Sequence, residues 1–268
     1  MAQMIGGVRL DLEDWLPYYE AIVKDLGLDR EQDTLSARIL SDILSSNVRV
    51  AGARLSEEKA GSLISGRDTF ILGGGPELEP ELDRLISIRT GEGTWTPSDT
   101  GTDILITADG ATSVLLSRGY VPHVIVTDMD GGVEDQMACL REGSVMFLHA
   151  HGDNQDILEK IGPRLEGNVI GTTQVEPEKG SGLRNYGGFT DGDRAAFISR
   201  HFRPMSIELL GFDLDIVADK IIDGGTRRSM SGPGLSEMKY RKLIWANLLL
   251  GAITEPKIRF FGHDRRTM

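Results

Sequence analysis

Aspartate and histidine residues follow three apolar segments in the middle of the chain. Asp109 follows the first segment, Asp128 and Asp130 follow the second, and the third is followed by His149-Ala150-His151-Gly152-Asp153-Asn154. Carboxylates are ligands that suit Mg²⁺, which keeps several waters and bridges phosphate oxygens. Like charges gathered in one place also require a counter-ion. We therefore expect Asp109, Asp128 and Asp130 to bind Mg²⁺ together.

The three apolar segments are typical of strands that are buried on both faces. Each is short, rich in β-branched residues and bounded by Gly or Asp, and helical patterns occupy 111–119 and 133–142 between them. Alternating strands and helices predict a parallel sheet in which ligands bind beyond the carboxyl ends of the strands. The sequence thus predicts an α/β fold with a Rossmann-like, mostly parallel sheet and helices on both faces.

Residues 1–65 differ from the rest of the chain, because they contain helical patterns and no group suited to chemistry. A helix is predicted after the capping residue Asp29, and its expected apolar stripe consists of Leu35, Ile39, Leu40, Ile43 and Leu44. We predict a small N-terminal helical region over 1–65, which packs on the sheet or on a second subunit of a homo-oligomer. Residues 66–268 are predicted to form the catalytic domain.

The composition describes an ordinary soluble globular protein, with 40% hydrophobic and 26% charged residues. Lys and Arg number 29 against 41 Asp and Glu, and the net charge of −12 argues against a nucleic-acid partner. The single cysteine, Cys139, excludes an intrachain disulfide and a thiolate zinc cluster, and its helical apolar surroundings indicate a structural thiol. No signal peptide and no membrane span are expected, which favours a cytoplasmic protein.

Two glycine-rich segments are further candidates for function. Gly73-Gly74-Gly75 lies between a predicted strand, 69–72, and a predicted helix, 77–88. Such a loop can offer backbone N–H groups to a phosphate, but the acidic residues at the start of the helix oppose an anion. A tight turn without phosphate contact is an equal alternative. Residues 179–188 are predicted to form a mobile lid.

The two histidines permit a rival chemistry. The order His149-x-His151-x-Asp153 resembles the His-x-His-x-Asp-His ligand set of dinuclear zinc hydrolases, but Asn154 stands at the position of the last histidine. Hydrogen bonding of His149 and His151 to a substrate ring or a phosphate is the alternative, with a structural role for one of them.

Several segments taken together resemble the archaeal 6-hydroxymethyl-7,8-dihydropterin diphosphokinases. The resemblance runs in order across residues 70–215 and rests on Ala108-Asp109-Gly110-Ala111, Thr127-Asp128-Met129-Asp130-Gly131, the segment from His149 to Asn154, Thr173-Gln174, and Gly187-Gly188-Phe189-Thr190-Asp191-Gly192-Asp193-Arg194. The Asp-Gly and Asp-x-Asp segments are also similar to those of thiamine diphosphokinases. One departure lies in the glycine loop, where relatives often have Gly-x-Gly-Pro-Ser-Leu and this chain has Glu77 instead of the serine.

The resemblance implies a Mg²⁺-dependent enzyme that transfers the diphosphate of ATP to the hydroxymethyl group of 6-hydroxymethyl-7,8-dihydropterin and releases AMP. The product would serve the synthesis of tetrahydromethanopterin or a folate-type cofactor. Asp128, Asp130 and Asp193 are the expected catalytic residues. The residues expected to bind ATP or the reduced pterin alcohol are Asp109, His149, His151, Asp153, Asn154, Gln174, Asp191, Arg194 and Lys239.

The expected binding residues divide by their chemistry. Either Asp191 or Asp193 is a further metal ligand or the base near the hydroxymethyl group. Arg194 and Lys239 can pair with phosphate oxygens, whereas amides such as Asn154 and Gln174 can bind the edge of a heterocycle. Three other functions remain open at this point: diphosphoryl transfer to thiamine, hydrolysis by a metal bound to the His-x-His-x-Asp cluster, and regulatory nucleotide binding without turnover.

Overall fold

The structure is a computed structural model that describes residues 12–91, 95–97, 101–229 and 235–262. The α-helices in this part of the chain are α1 (Leu12–Leu26), α2 (Arg30–Ser46), α3 (Ala53–Ile64), α4 (Leu78–Gly91), α5 (Ala111–Ser117), α6 (Val133–Arg141), α7 (Gln155–Ile161), α8 (Asp191–His201) and α9 (Leu235–Ala252). The strands are β1 (Asp68–Leu72), β2 (Asp103–Ala108), β3 (Val124–Thr127), β4 (Val145–Ala150), β5 (Asn168–Thr173), β6 (Ser206–Leu210), β7 (Lys220–Ile222), β8 (Thr226–Arg228) and β9 (Ile258–Phe260).

Seven strands form one parallel sheet in the order β5-β4-β3-β2-β1-β6-β9. Strands β2 to β5 are added on one side of β1, whereas β6 and β9 lie on the other side. The strand order therefore reverses between β1 and β6, which is the place where sheets of this kind bind ligands. Strands β2, β3 and β4 are buried along their whole length.

Neighbouring residues of the central strands enter two separate apolar cores. Phe70 and Leu72 of β1 pack in one core with α4 and α5, whereas Ile71 between them packs in a second core with α8. This alternation, with a period of two residues, places helices on both faces of the sheet. The expected α/β fold is confirmed. Cys139 is part of the second core, and burial raises the pKa of its thiol to about 12, as a structural cysteine requires.

The N-terminal helices share the second core with the sheet. Trp15 and Tyr19 of α1 and Leu40 of α2 belong to the same cluster as the apolar residues of β3 and β4. Asp29 caps α2 as expected, because its side chain accepts hydrogen bonds from the N–H groups of the first turn. None of the helices in the described part of the chain has the length and apolar character needed to span a bilayer.

The buried face of α2 contains part of the expected stripe, because Leu40 is buried and Ile43 and Leu44 pack against the second core. Leu35 is 43% exposed, and the buried residues of the helix are Asp33, Ser36, Ala37 and Leu40. Their spacing is helical, but the face is rotated toward smaller and more polar side chains. The side chain of Asp33 is thus placed in the interior of the protein.

An antiparallel hairpin of β7 and β8 was not expected, because each strand has only three residues and shows little alternation. Asp223 in its turn accepts hydrogen bonds from the first N–H groups of α6. Arg227 donates to the carbonyl oxygens of Gly74 and Gly75. The hairpin therefore connects the start of α6 to the glycine loop after β1.

Residues 179–188 are attached to the N-terminal helices. Ser41 of α2 donates to the carbonyl oxygen of Ser181 at 2.8 Å, and Arg184 makes two hydrogen bonds to Glu57 of α3 at 2.8 and 2.7 Å. The side chain of Leu183 is buried. The structure therefore does not support the prediction of a mobile lid.

Candidate active site

Three aspartates from different elements meet beyond the carboxyl ends of β2 and β3. Asp109 follows β2, Asp128 follows β3 and Asp191 begins α8, and one carboxylate oxygen of each lies within 4.8 Å of the other two. We call these three residues the carboxylate cluster. The expected approach of Asp109 and Asp128 is present, but the third member is Asp191 and not Asp130.

Asp130 lies beside the cluster, and its side chain interacts with those of Asp109 and Asp128. The expectation that Asp128 and Asp130 lie on one side requires an extended chain, whereas Met129 has a φ of +65°, in the left-handed region. The Asp130 side chain is 56% exposed and forms an ion pair with Lys220 of β7. Asp130 is thus an ion-paired neighbour of the cluster, and its expected part in Mg²⁺ binding stays a prediction.

Hydrogen bonds fix the orientation of the Asp109 side chain. Its Oδ1 accepts from Thr127 Oγ1 at 3.0 Å, from the N–H of Gly131 at 3.1 Å and from Gln136 Nε2 at 3.0 Å. A Cβ at position 131 would lie 2.3 Å from the other oxygen, Oδ2, so only glycine allows this approach. The carboxylate is therefore held rigidly, as metal binding requires.

The charges of the cluster are incompletely neutralised by the protein. Burial and the neighbouring carboxylates raise the pKa of Asp109 well above its usual range. Burial and the charge of Asp128 raise the pKa of Asp191 to about 8, although Arg194 opposes this shift. Burial also acts to raise the pKa of Asp128, but hydrogen bonding to His151 outweighs it and lowers that pKa. A divalent cation could replace the protons that such a cluster retains, so its residues fit Mg²⁺.

His151 lies between two carboxylates. Its Nε2 is 3.1 Å from Asp128 Oδ2 and its Nδ1 is 2.6 Å from Asp153 Oδ1. Burial alone would lower the pKa of His151, but the two carboxylates raise it to about 9. With this pKa the imidazole is protonated at neutral pH and can donate a hydrogen bond to each of the two carboxylates.

His149 is buried and has a different environment. Its Nδ1 lies 3.0 Å from Thr172 Oγ1, and burial lowers the pKa of the ring well below its usual range. The rings of His149 and His151 stack with centroids 5.9 Å apart. Within the described residues, the side chains with metal-site spacing are those of the carboxylate cluster, which contains no histidine.

Asn154 supports the loop after β4 from within. Its Nδ2 donates to the carbonyl oxygens of His149 at 2.7 Å and Asp128 at 3.2 Å, and its Oδ1 accepts from the N–H of His151 at 3.0 Å. Both ends of the amide are therefore engaged with backbone. Asn154 positions Asp128 and His151, and its expected contact with a substrate edge stays a prediction.

Asp193, an expected catalytic residue, caps the start of α8. It accepts hydrogen bonds from the N–H of Phe189 at 2.6 Å and the N–H of Thr190 at 2.7 Å, in a capping box with Thr190. Its side chain is completely buried. Arg194, in turn, donates to Asp191 Oδ1 at 2.8 Å and to the carbonyl oxygen of Phe189 at 2.9 Å. The structure thus gives Asp193 a capping role and places Arg194 against the cluster.

Two cavities adjoin the cluster. The first, of about 300 Å³, lies at the switch point between β1 and β6 and is lined by the glycine loop, Lys220, Lys239 and Lys242. The second, of about 450 Å³, is lined by five residues of the segment 27–33 together with His151, Gln174, Phe189 and Arg194. Four residues line both cavities, namely Asp130, Thr190, Asp191 and Lys242. Two ligands bound in the two cavities would therefore meet beside Asp191.

The glycine loop has a structural reason for its composition. The N–H groups of Gly73 and Gly75 donate to the carbonyl oxygens of Leu210 and Gly211 at 2.8 Å each. A Cβ at position 75 would lie 2.5 Å from the Gly211 oxygen. These two N–H groups are already paired, which favours the tight turn over the phosphate-binding alternative.

Comparisons with known proteins show which family the chain resembles. Residues 53–219 match the model of the family described as 6-hydroxymethylpterin diphosphokinase MptE-like. A protein of Methanocaldococcus jannaschii named 6-hydroxymethyl-7,8-dihydropterin pyrophosphokinase is 32% identical over 249 residues, which is 92% of this chain and 97% of that protein. Proteins of the same name are 39% identical in Pyrococcus furiosus, over 78% of this chain and 80% of that protein, and 36% identical in Methanothermobacter thermautotrophicus, over 79% and 82%.

The chain belongs to the MptE-like family. The resemblance read from the sequence segments is thereby confirmed. The family match ends at residue 219 and begins at residue 53, yet both cavities extend beyond these limits. Lys220, Lys239 and Lys242 follow the matched part, and the wall of residues 27–33 precedes it.

Three residues that line the two cavities were not predicted from the sequence, namely Asp33, Lys220 and Lys242. Lys220 belongs to a strand too short to be recognised, and Lys242 resembles any lysine on an amphipathic helix. Asp33 did leave a signal, because it stands at helical spacing from the small residues Ser36 and Ala37 and from Leu40. A carboxylate on such a face has to find buried partners.

Proposed function

We propose that this protein transfers the β,γ-diphosphate of ATP to the hydroxymethyl group of 6-hydroxymethyl-7,8-dihydropterin and releases AMP, in the synthesis of a tetrahydromethanopterin- or folate-type cofactor. The observation that carries the proposal is the position of Asp191, which belongs to the carboxylate cluster and lines both cavities. Two substrates in adjoining cavities would bring their reacting groups to this residue. The names of the relatives supply the pterin acceptor.

We assign ATP to the first cavity, because it contains three lysines and lies at the switch point of the sheet. Burial and the nearby Lys220 lower the pKa of Lys239. A bound phosphate anion would offset both effects, so Lys239 gains an interaction from ATP that the free protein lacks. Lys242 lines both cavities and can contact the phosphates where the two substrates meet.

We assign the pterin alcohol to the second cavity. Phe189 offers an aromatic ring against which the planar pterin could pack. Gln174 offers an amide with both donor and acceptor groups. The protonated His151 and Arg194 add positive charge beside Asp191. This wall would hold the hydroxymethyl group near the first cavity and balance the charge of the incoming diphosphate.

Asp109, Asp128 and Asp191 would hold Mg²⁺, which neutralises charge on phosphate oxygens when bound. The alcohol oxygen attacks the β-phosphorus, and the bond between that phosphorus and the oxygen bridging to the α-phosphate breaks. That bridging oxygen leaves with AMP. We assign the proton of the alcohol to Asp130, because this carboxylate lines both cavities and lies outside the cluster.

The test is to incubate the protein with ATP, Mg²⁺ and the reduced pterin alcohol and to separate the nucleotide products. We expect AMP and the pterin diphosphate in equal amounts, no reaction in the presence of a chelator of divalent cations, and no transfer to thiamine. Formation of ADP or free phosphate, or AMP release that is independent of the pterin, would contradict the proposal.

A further inference from the structure

Asp33 of α2 is a buried carboxylate that connects the N-terminal helices to the second cavity. It is only 3% exposed. Its Oδ1 accepts from the N–H of Gly152 at 2.7 Å, and its Oδ2 accepts from Tyr19 Oη at 2.6 Å and from Gln174 Nε2 at 2.8 Å. One carboxylate thus ties α1, the loop after β4 and the end of β5 together.

The contact with Gly152 acts on two residues of the site at once, because Gly152 stands between His151 and Asp153. A Cβ at position 152 would lie 3.1 Å from Gln32 Cβ and 3.3 Å from Asp33 Oδ1. The loop therefore approaches α2 closely, and the N–H of Gly152 is held at that approach by Asp33. Movement of this peptide would displace the His151 and Asp153 side chains, which line the second cavity and not the first.

The contact with Gln174 decides how the amide is oriented. A carboxylate only accepts hydrogen bonds, so the nitrogen end of Gln174 has to face Asp33. The carbonyl end is then directed away from Asp33. Gln174 lines the second cavity together with Asp33 itself, so the orientation of this amide affects which hydrogen-bonding edge a ligand meets.

We infer that Asp33 is a positioning residue for the acceptor and that the N-terminal helical region completes the acceptor pocket. The inference rests on the proposed function, since the acceptor is the pterin alcohol assigned to the second cavity. The family match begins at residue 53, so this contribution lies outside the matched part. The first cavity, which we assign to ATP, is lined by none of Asp33, Gly152 and Gln174, so the binding of ATP should be affected little.

The experiment measures steady-state kinetics and equilibrium binding of the pterin alcohol for Asp33→Asn, with Asp42→Asn as the matched control. Asp42 is an exposed aspartate on the same helix. Asparagine keeps the shape of the side chain but brings an amide donor among three donors. We expect the KM and the Kd for the pterin alcohol to rise about tenfold while the KM for ATP stays within about twofold. The control should match the wild type.

A second variant covers the case in which Asp33→Asn does not fold. Gly152→Ala keeps the buried carboxylate and inserts a methyl group between the loop and α2, and it should give the same selective rise. Equal changes for both substrates, or no change in folded protein, would overturn the inference. Either of these outcomes leaves the proposed function intact if the wild-type protein forms AMP and pterin diphosphate. Absence of transfer by the wild-type protein would contradict the proposed function instead.

Discussion

The start of α8 contains two buried aspartates that behave in opposite ways. Asp193 meets hydrogen-bond donors of its own helix start, Phe189 and Thr190. Asp191, two residues earlier, meets one guanidinium and two other carboxylates. The first carboxylate is satisfied by the fold, whereas the second adds to a charge that the fold does not balance. Such an imbalance is typical of a binding site, because the cluster has to retain protons unless a bound cation replaces them.

The largest expected effect comes from removing a charge of the cluster. Asp128→Asn should lower kcat/KM about a thousand-fold, since losing a metal-binding carboxylate costs several kcal/mol of transition-state stabilisation. The fold should persist, because an asparagine can still accept the hydrogen bond from the N–H of Asp130. Kinetics together with thermal unfolding checks both parts. Full activity in this variant would mean that a carboxylate of the cluster is no more important for catalysis than Asp193, which caps α8.

Asp193→Asn should show the reverse behaviour. The variant loses part of a capping box and leaves buried donors poorly paired, so we expect the free energy of unfolding to fall by about 2 kcal/mol. The dissociation constant for Mg²⁺, measured on the folded variant by calorimetry, should change little. A strong loss of Mg²⁺ binding with unchanged stability would show that Asp193 acts in the cluster after all.

The pH dependence of stability sharpens the comparison. The pKa of Asp191 is raised from 3.8 to about 8, so its contribution to stability is complete below the unfolded pKa and is lost as the pH rises toward 8. His151, with a pKa raised to about 9, acts in the same direction above its unfolded pKa of 6.5. The unfolding midpoint without divalent cations should therefore fall between about pH 6 and 8.5.

Mg²⁺ should abolish most of this fall, and Asp191→Asn should reduce it without added Mg²⁺. Asp42→Asn provides the control, because it removes the charge of an exposed aspartate that is not part of the cluster. The unfolding midpoint of this variant should fall with pH as it does in the wild type. A rising midpoint over the same pH range would mean that the cluster is not a site of unbalanced charge.

The smallest effect concerns the cationic wall of the first cavity. Lys239→Met should raise the KM for ATP about fivefold, equivalent to about 1 kcal/mol, and leave the KM for the pterin alcohol unchanged. Lys257→Met, at an exposed lysine outside the site, is the matched control. A selective change in the KM for the pterin alcohol would instead indicate that the pterin alcohol binds in the first cavity and ATP in the second.

The sequence predicted the parts of the site that depend on topology. Asp109 and Asp128 each follow a strand of a parallel sheet, and the carboxyl ends of such strands share one edge. The choice between Asp191 and Asp193 was not available, because both positions suit the start of a helix. Only the approach of α8 to β2 and β3 separates them.

Other residues could not be placed, because their roles depend on distant contacts. Asp33 pairs with Gly152 and Gln174, more than a hundred positions away. The exposed position of the Asp130 side chain follows one left-handed residue, Met129, and a non-glycine residue gives no signal for that conformation. Continuous apolar runs predicted the buried strands well, whereas the short hairpin with Lys220 offered too few residues to show a pattern.

The most direct measurement is a crystal structure with Mg²⁺ and α,β-methylene ATP, in which the bond broken by diphosphoryl transfer is blocked. The account predicts Mg²⁺ between Asp109, Asp128 and Asp191, in contact with phosphate oxygens of a nucleotide in the first cavity. Mg²⁺ bound elsewhere, or a nucleotide whose phosphates lie away from these three carboxylates, would contradict it.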